Sequence, residues 1–212
     1  MNLSQSIKTC IKNGDRLIDD AGYLFDTERY TSAYALAKLA QEEYAKCFIL
    51  KLVECGALKW TKEVRRSLNH HVSKQLMVVI LEYLNPNTDD FLKMIEDKTW
   101  HKRPKKVLDA INIYVHEILR RWESSNWFWV ENPKYDKEAK SIFDGAMDNE
   151  KQKSLYVKIM KDGRAIDTTM KFTKIVTEKE IEIAKRCGQF ISSKDDDFRY
   201  KEIVEVFKVL KN

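Results

Sequence analysis

The sequence predicts a mainly α protein: a helical bundle with a small C-terminal β-hairpin plus helices. Three observations carry this. Apolar residues recur at helical spacing over most of the chain. Only 3 prolines and 6 glycines interrupt 212 residues. The one stretch with a two-residue period lies late, around Leu155, Val157 and Ile159, and is followed by the hairpin turn signal Asp162-Gly163.

The elements follow in order. Residues 3–25 place Ile7, Ile11, Leu17, Ile18, Ala21, Leu24 and Phe25 on one helical face. A second helix, about 28–54 and capped at Thr27, carries Ala33, Ala35, Ala37, Ala40 and Ala45, which let a neighbour approach closely; Gly56 stops it. Thr61 caps a third helix expected to run unbroken to Leu84, where Asn85-Pro86-Asn87 ends it. A short helix covers 88–98, capped near Asp89 or Asp90. The basic connector Trp100 to Lys106 leads into a helix that Pro104 opens and that reaches about Glu123. Trp127, Phe128 and Trp129 lie in 124–134, and another helical piece covers 135–147. After the hairpin, with strands near 155–159 and 164–168, an extended piece covers 171–176. Thr177 with Glu180 forms a capping box for a helix to about Cys187 or Ile191, and Phe198 to Leu210 is a last amphipathic helix. The change of period places a boundary near 150: a bundle over 1–150 and an appendage over 151–212.

Composition narrows the function classes. With 43% hydrophobic and 33% charged residues the chain reads as an ordinary folded protein, and a net charge of +5 permits an acidic partner such as nucleic acid. The longest apolar run, Leu76 to Leu81, is too short to span a bilayer, and the N-terminus lacks a signal-peptide core, so a cytoplasmic location and no membrane partner are expected. Cys10, Cys47, Cys55 and Cys187 form no metal spacing and read as reduced packing residues. No HExxH, paired ExxH, aspartate cluster, P-loop or GxGxxG is present, so neither a metal nor another cofactor is expected.

Candidate chemistry clusters on the second and third helices. In Tyr30–Leu52, Leu36, Ala40, Cys47 and Leu50 form a stripe with Glu43 at its centre and Lys46 at its edge. A charge there needs a partner, since burying it alone costs several kcal/mol. Glu43 could orient a base and Lys46 could hold a phosphate, or the two could be a plain ion pair. The third helix supplies Arg65, Arg66, His70, His71 and Lys74. In one unbroken helical register His71 borders the apolar stripe and His70 points to solvent. A histidine among cations could stay a neutral base near pH 7, and an arginine could stabilise a phosphorane. Arg120, Arg121 and Trp122 add an aromatic–basic group able to stack bases, or to serve as core anchors flanked by solvated charge.

These residues resemble a known family. Ala35-Leu36-Ala37-Lys38-Leu39-Ala40-Gln41-Glu42-Glu43-Tyr44-Ala45-Lys46 followed by His71-x-x-Lys74 is similar to the pattern of AbiV-type abortive-infection proteins. Ser154-Leu155-Tyr156-Val157 and Thr177-Glu178-Lys179-Glu180 add support, so the likeness spreads over about residues 10–190. The resemblance implies the HEPN superfamily: compact helical bundles that commonly dimerise, many of them metal-independent ribonucleases with an R-x4–6-H motif. Arg65–His70 and Arg66–His71 both fit that spacing, although Arg66 or Ser67 stands where Asn, Asp or His usually follows the arginine. The implied function is a phage-defence effector that arrests growth or translation by attacking tRNA, rRNA or mRNA, with a phage-encoded protein as a possible activator. The alternative is a non-catalytic dimer that blocks translation by binding a ribosomal or phage component.

Overall fold

The structure is a computed structural model and describes residues 2–99, 102–124, 134–167, 171–193 and 198–211. Trp100, His101, Trp127, Phe128 and Trp129 lie outside the described residues. The fold is mainly α, as the periodicity requires, with one two-stranded antiparallel sheet.

Two long helices, α1 (Leu3–Asp26) and α2 (Tyr30–Glu54), form an antiparallel pair. Asn2 caps α1 by accepting from the Gln5 amide. Helix α2 is the axis of the molecule: 15 of its 25 residues are buried, among them Gln41 and Glu42, so it has no single apolar stripe. It packs against α1, α4 (His71–Leu84), α9 (Ala146–Leu155) and α10 (Lys174–Ser192).

The expected third helix is two. Helix α3 (Lys62–Ser67) is capped by Thr61, whose hydroxyl accepts from the Val64 amide at 3.3 Å. The chain leaves helical geometry at His70 (φ −95°, ψ 114°), the N-cap of α4. Ser67 contributes to the break. Its buried hydroxyl donates to the Val64 carbonyl at 2.7 Å and meets Tyr114 Oη at 2.8 Å, competing with the backbone bonds that would continue the helix.

Helix α5 (Thr88–Glu96) is capped by Asn87, not by Asp89 or Asp90. Helix α6 (Lys105–Asn112) begins after Pro104 and runs through a π-helical segment, Ile113–Arg120, into α7 (Arg121–Glu123). The piece expected over 135–147 splits at Gly145, whose φ of +85° ends α8 (Lys137–Phe143) and starts α9.

The sheet is shorter than its alternation implies. Leu155 belongs to α9, and only β1 (Lys158–Ile159) and β2 (Ala165–Ile166) pair, across the Asp162-Gly163 turn. The capping box at Thr177 is also corrected. Thr173 caps α10 through the Val176 amide; Thr177 lies inside the helix, fully buried, and donates to the Tyr30 carbonyl at 3.2 Å.

The expected boundary at 150 falls inside α9. Ile181, Ile183, Ala184, Cys187, Phe190 and Ile191 of α10 share one core with α1, α2 and α4, and α11 (Phe198–Lys211) adds Ile203 and Phe207 to it. The hairpin stands apart from this core, with Val157 and Ile159 exposed, and so does α5, which buries none of its residues.

Candidate functional site

The site centres on Glu42, not Glu43. Because α2 packs against α1, α4, α9 and α10, the face about 100° round from Glu43 is also interior, and Glu42 points from it toward α4 and α9. Its carboxylate is 4% exposed and meets three groups: Lys74 Nζ at 2.6 Å from Oε2, Lys151 Nζ at 2.6 Å from Oε1 and His71 Nδ1 at 2.8 Å from Oε2. Lys74 and Lys151 are themselves 6% and 5% exposed. Burial alone would push the Glu42 carboxyl up, but the two ammonium groups prevail and hold it below the usual carboxylate range.

His71 is the open member of this group. Its side chain is 47% exposed while Nδ1 faces the buried carboxylate, so the accessible edge of the ring is the one bearing Nε2. Helix α9 closes the inner side. Lys151 Nζ lies 2.8 Å from His71 Nδ1 and 3.0 Å from Asp148 Oδ1, and Asp148 is one helical turn before it.

His70 does not point to solvent. The helix break turns it inward, where Nδ1 bonds Ser73 Oγ at 2.9 Å and the ring meets Trp122 edge-on at 5.1 Å. Burial, then Arg66, hold its imidazole below the ordinary range. The Arg66 guanidinium lies 4.2 Å from the centre of the Trp122 ring, and Arg65 is exposed on α3. Arg66, His71, Lys74 and Asp148 all act electrostatically on His70, which places them in one neighbourhood.

Glu43 and Lys46 pair with each other at 2.5 Å and fall beside Cys10 of α1, so the ion-pair reading describes their geometry. Sequence reasoning gave no role to Glu42, Asp148, Lys151 or Trp122's contact with Arg66. The Glu42-Glu43 doublet and the Asp148-x-x-Lys151 spacing were the available signals, and neither distinguishes itself from ordinary helix-surface charge.

Glu42, His71 and Asp148 each offer a ligand atom within 4.8 Å of the others, the spacing a metal ion would need. Lys151 Nζ already lies 2.6–3.0 Å from an atom of each. The cation at this point is the protein's own ammonium, and an added dication would have to expel it.

The chain is thus a helical bundle with a buried carboxylate bonded to a half-exposed histidine, and a comparison of its sequence gives the class, HEPN. A family model for AbiV matches residues 2–189, and the chain belongs to this abortive-infection family. No curated protein matches it, and no solved structure does. No helix among the described residues is long and apolar enough to cross a membrane.

Proposed function

We propose that the protein is a metal-independent endoribonuclease that arrests growth of a phage-infected cell, with His71 as general base. The observation that carries this reading is the half-exposed His71 ring backed at 2.8 Å by the buried Glu42 carboxylate. When Nδ1–H donates to Glu42, Nε2 presents a lone pair outward, and the carboxylate stabilises the imidazolium that forms. His71 then takes the proton of a ribose 2′-OH. The 2′-oxygen attacks the adjacent phosphorus, and the 5′-oxygen leaves with a proton returned by the imidazolium. The products are a 2′,3′-cyclic phosphate and a 5′-hydroxyl. Arg66, held on Trp122, and the exposed Arg65 are the cations available to the phosphorane. Lys74 is committed to Glu42 and Lys46 to Glu43, so both support the site's electrostatics without reaching substrate.

HEPN proteins commonly act as dimers, and a two-fold pair of these sites is part of the proposal. Light scattering should give about twice the chain's 25.1 kDa; a monomer mass across micromolar concentrations argues against the paired site.

The sealed state of Glu42, Lys74 and Lys151 favours the second reading, a binding-only protein that blocks translation. One experiment separates them. His71→Ala should lose about 10²–10⁴-fold in RNA cleavage and lose growth arrest, with thermal melting near wild type, and wild-type cleavage should persist in EDTA. A folded His71→Ala protein that arrests growth at full strength overturns the catalytic reading in favour of binding.

A further inference from the structure

His71 Nδ1 has two partners at the same distance, 2.8 Å: Glu42 Oε2 and Lys151 Nζ. They make opposite demands. A carboxylate can only accept, so bonding to Glu42 requires a proton on Nδ1. An ammonium can only donate, so bonding to Lys151 requires a lone pair on Nδ1. A neutral imidazole carries one ring proton and cannot satisfy both. The two bonds correspond to two tautomers with opposite capacities at the exposed edge. With Glu42 engaged, Nε2 is an acceptor. With Lys151 engaged, Nε2 carries the proton.

Lys151 is placed to win this competition in the resting protein. Its ammonium hydrogen-bonds Glu42 Oε1 at 2.6 Å and His71 Nδ1 at 2.8 Å, with Asp148 Oδ1 at 3.0 Å as an ion-pair neighbour only. At 5% exposure it has little water to turn to, so giving up Nδ1 would leave a buried donor unmade. Glu42 does not depend on His71, because Lys74 already donates to the same Oε2 at 2.6 Å. The charged groups facing His71 from every packed element are Glu42 on α2, Lys74 on α4 and Asp148 with Lys151 on α9; with the ring proton on Nε2 the bonds among Glu42, Lys74, Lys151 and Nδ1 are all kept, while Asp148 Oδ1, 4.0 Å from Nδ1, takes no hydrogen bond.

We propose that Lys151 is a positioning residue that restrains the site: by donating to Nδ1 it holds His71 in the Nε2–H tautomer, which cannot act as a base. The functional part rests on the ribonuclease reading above. Activation then consists of any event that draws Lys151 off Nδ1. The His71 proton moves to Nδ1, donates to Glu42, and Nε2 becomes the base. No bond in the main chain need change. The restraint is carried by α9, and α9 runs directly into the exposed hairpin, so a load on the hairpin acts on the helix that holds Lys151.

The test is the ring-nitrogen spectrum of full-length protein labelled with ¹⁵N-histidine, at about pH 8.5 where an ordinary imidazole is neutral, with His71 assigned by its loss in His71→Gln. The wild type should show a pyrrole-type Nε2 and a pyridine-type Nδ1. Lys151→Met keeps the side-chain length and removes the donor, and should reverse the two shifts. RNA cleavage by Lys151→Met should rise about tenfold, the gain expected when a base-competent form goes from a minor to the main population. A wild-type protein already in the Nδ1–H tautomer overturns the proposal, and that measurement decides even if Lys151→Met does not fold. So does an Nε2–H tautomer that persists in folded Lys151→Met. A tautomer that reverses while neither protein cleaves RNA supports the control by Lys151 and overturns the ribonuclease reading. An unmoved tautomer alongside His71-dependent cleavage does the reverse.

Discussion

At the scale of single residues, the decisive one is Glu42. The sequence points to an acid on α2 that must be paired inside the protein, and it places that need at Glu43. That placement holds for a helix with one apolar face. A helix buried on all sides has no such face, and there the neighbouring acid can be the interior one. The energetics follow the burial. Glu42→Ala strands Lys74 and Lys151 at 6% and 5% exposure and should cost about 3–5 kcal/mol. Glu43→Ala releases Lys46, which at 23% exposure has solvent to turn to, and should cost about 1 kcal/mol or less. Urea unfolding of the two variants checks the contrast, and equal losses would contradict this assignment.

The same neighbourhood sets an acid response. His70 sits below the ordinary imidazole value of 6.5, so the unfolded chain gains its proton first and stability falls as pH drops below 6.5. Glu42 sits below the ordinary 4.5, so its contribution is complete above 4.5 and is lost as pH falls through its lowered value. The melting temperature should therefore decline in two stages between pH 7 and 3. His116, which burial and then Arg120 hold below the ordinary imidazole value, adds to the upper stage, so His70→Gln should reduce that stage and only His70→Gln together with His116→Gln should flatten it. A profile level from 7 to 5 in the wild type would show that His70 titrates alike in both states.

Between elements, the tightest fit is the seat of Tyr44. Its ring lies between α1 and α10, and glycines make room on both sides. A Cβ at Gly14 would come within 2.6 Å of the ring, and one at Gly188 within 2.8 Å. Tyr44 Oη donates to Asp15 at 2.8 Å, which fixes the ring where both glycines meet it. Gly14→Ala and Gly188→Ala should each cost about 1–3 kcal/mol by overpacking. The penalty should shrink in a Tyr44→Leu background, where the ring is gone. A double-mutant cycle by chemical denaturation reads this coupling, and additive costs would place the clash elsewhere. Helix positions are legible wherever the periodicity is clear, as for α1, α2 and α11, but the cap expected for α2 is not: Thr27 ends α1, its hydroxyl donating to the Tyr23 and Leu24 carbonyls, and α2 starts after Arg29 with no side-chain cap. The breaks are not legible either. Among the contacts at the α3–α4 break is that of Ser67 with Tyr114, a residue 47 positions away, which local propensity does not register. The π-helical segment keeps the apolar residues of an ordinary helix, so its pattern reads as one.

Across the whole molecule, the change of period expected from Leu155 sets in only at Lys158, and it does not end the bundle. It marks a hairpin inserted between two helices of one bundle, since α10 returns to pack on α1, α2 and α4. Local alternation reports the hairpin but cannot report where the next helix docks. The two architectures predict opposite results on truncation. Removing residues 151–212 takes away α10 and α11, exposes the face of α2 that holds Ala37 and Tyr44, and removes the Lys151 partner of Glu42. The remaining chain should lose cooperative melting and most of its helical signal. Replacing residues 157–167 with a short Gly-Ser linker removes side chains that are exposed throughout, and should shift stability by no more than about 0.5 kcal/mol, the usual range for surface changes. Circular dichroism and thermal melting of both variants decide the matter. A 1–150 fragment that melts cooperatively would restore the appendage architecture, whereas a hairpin deletion that unfolds the protein would show the insert to be part of the core.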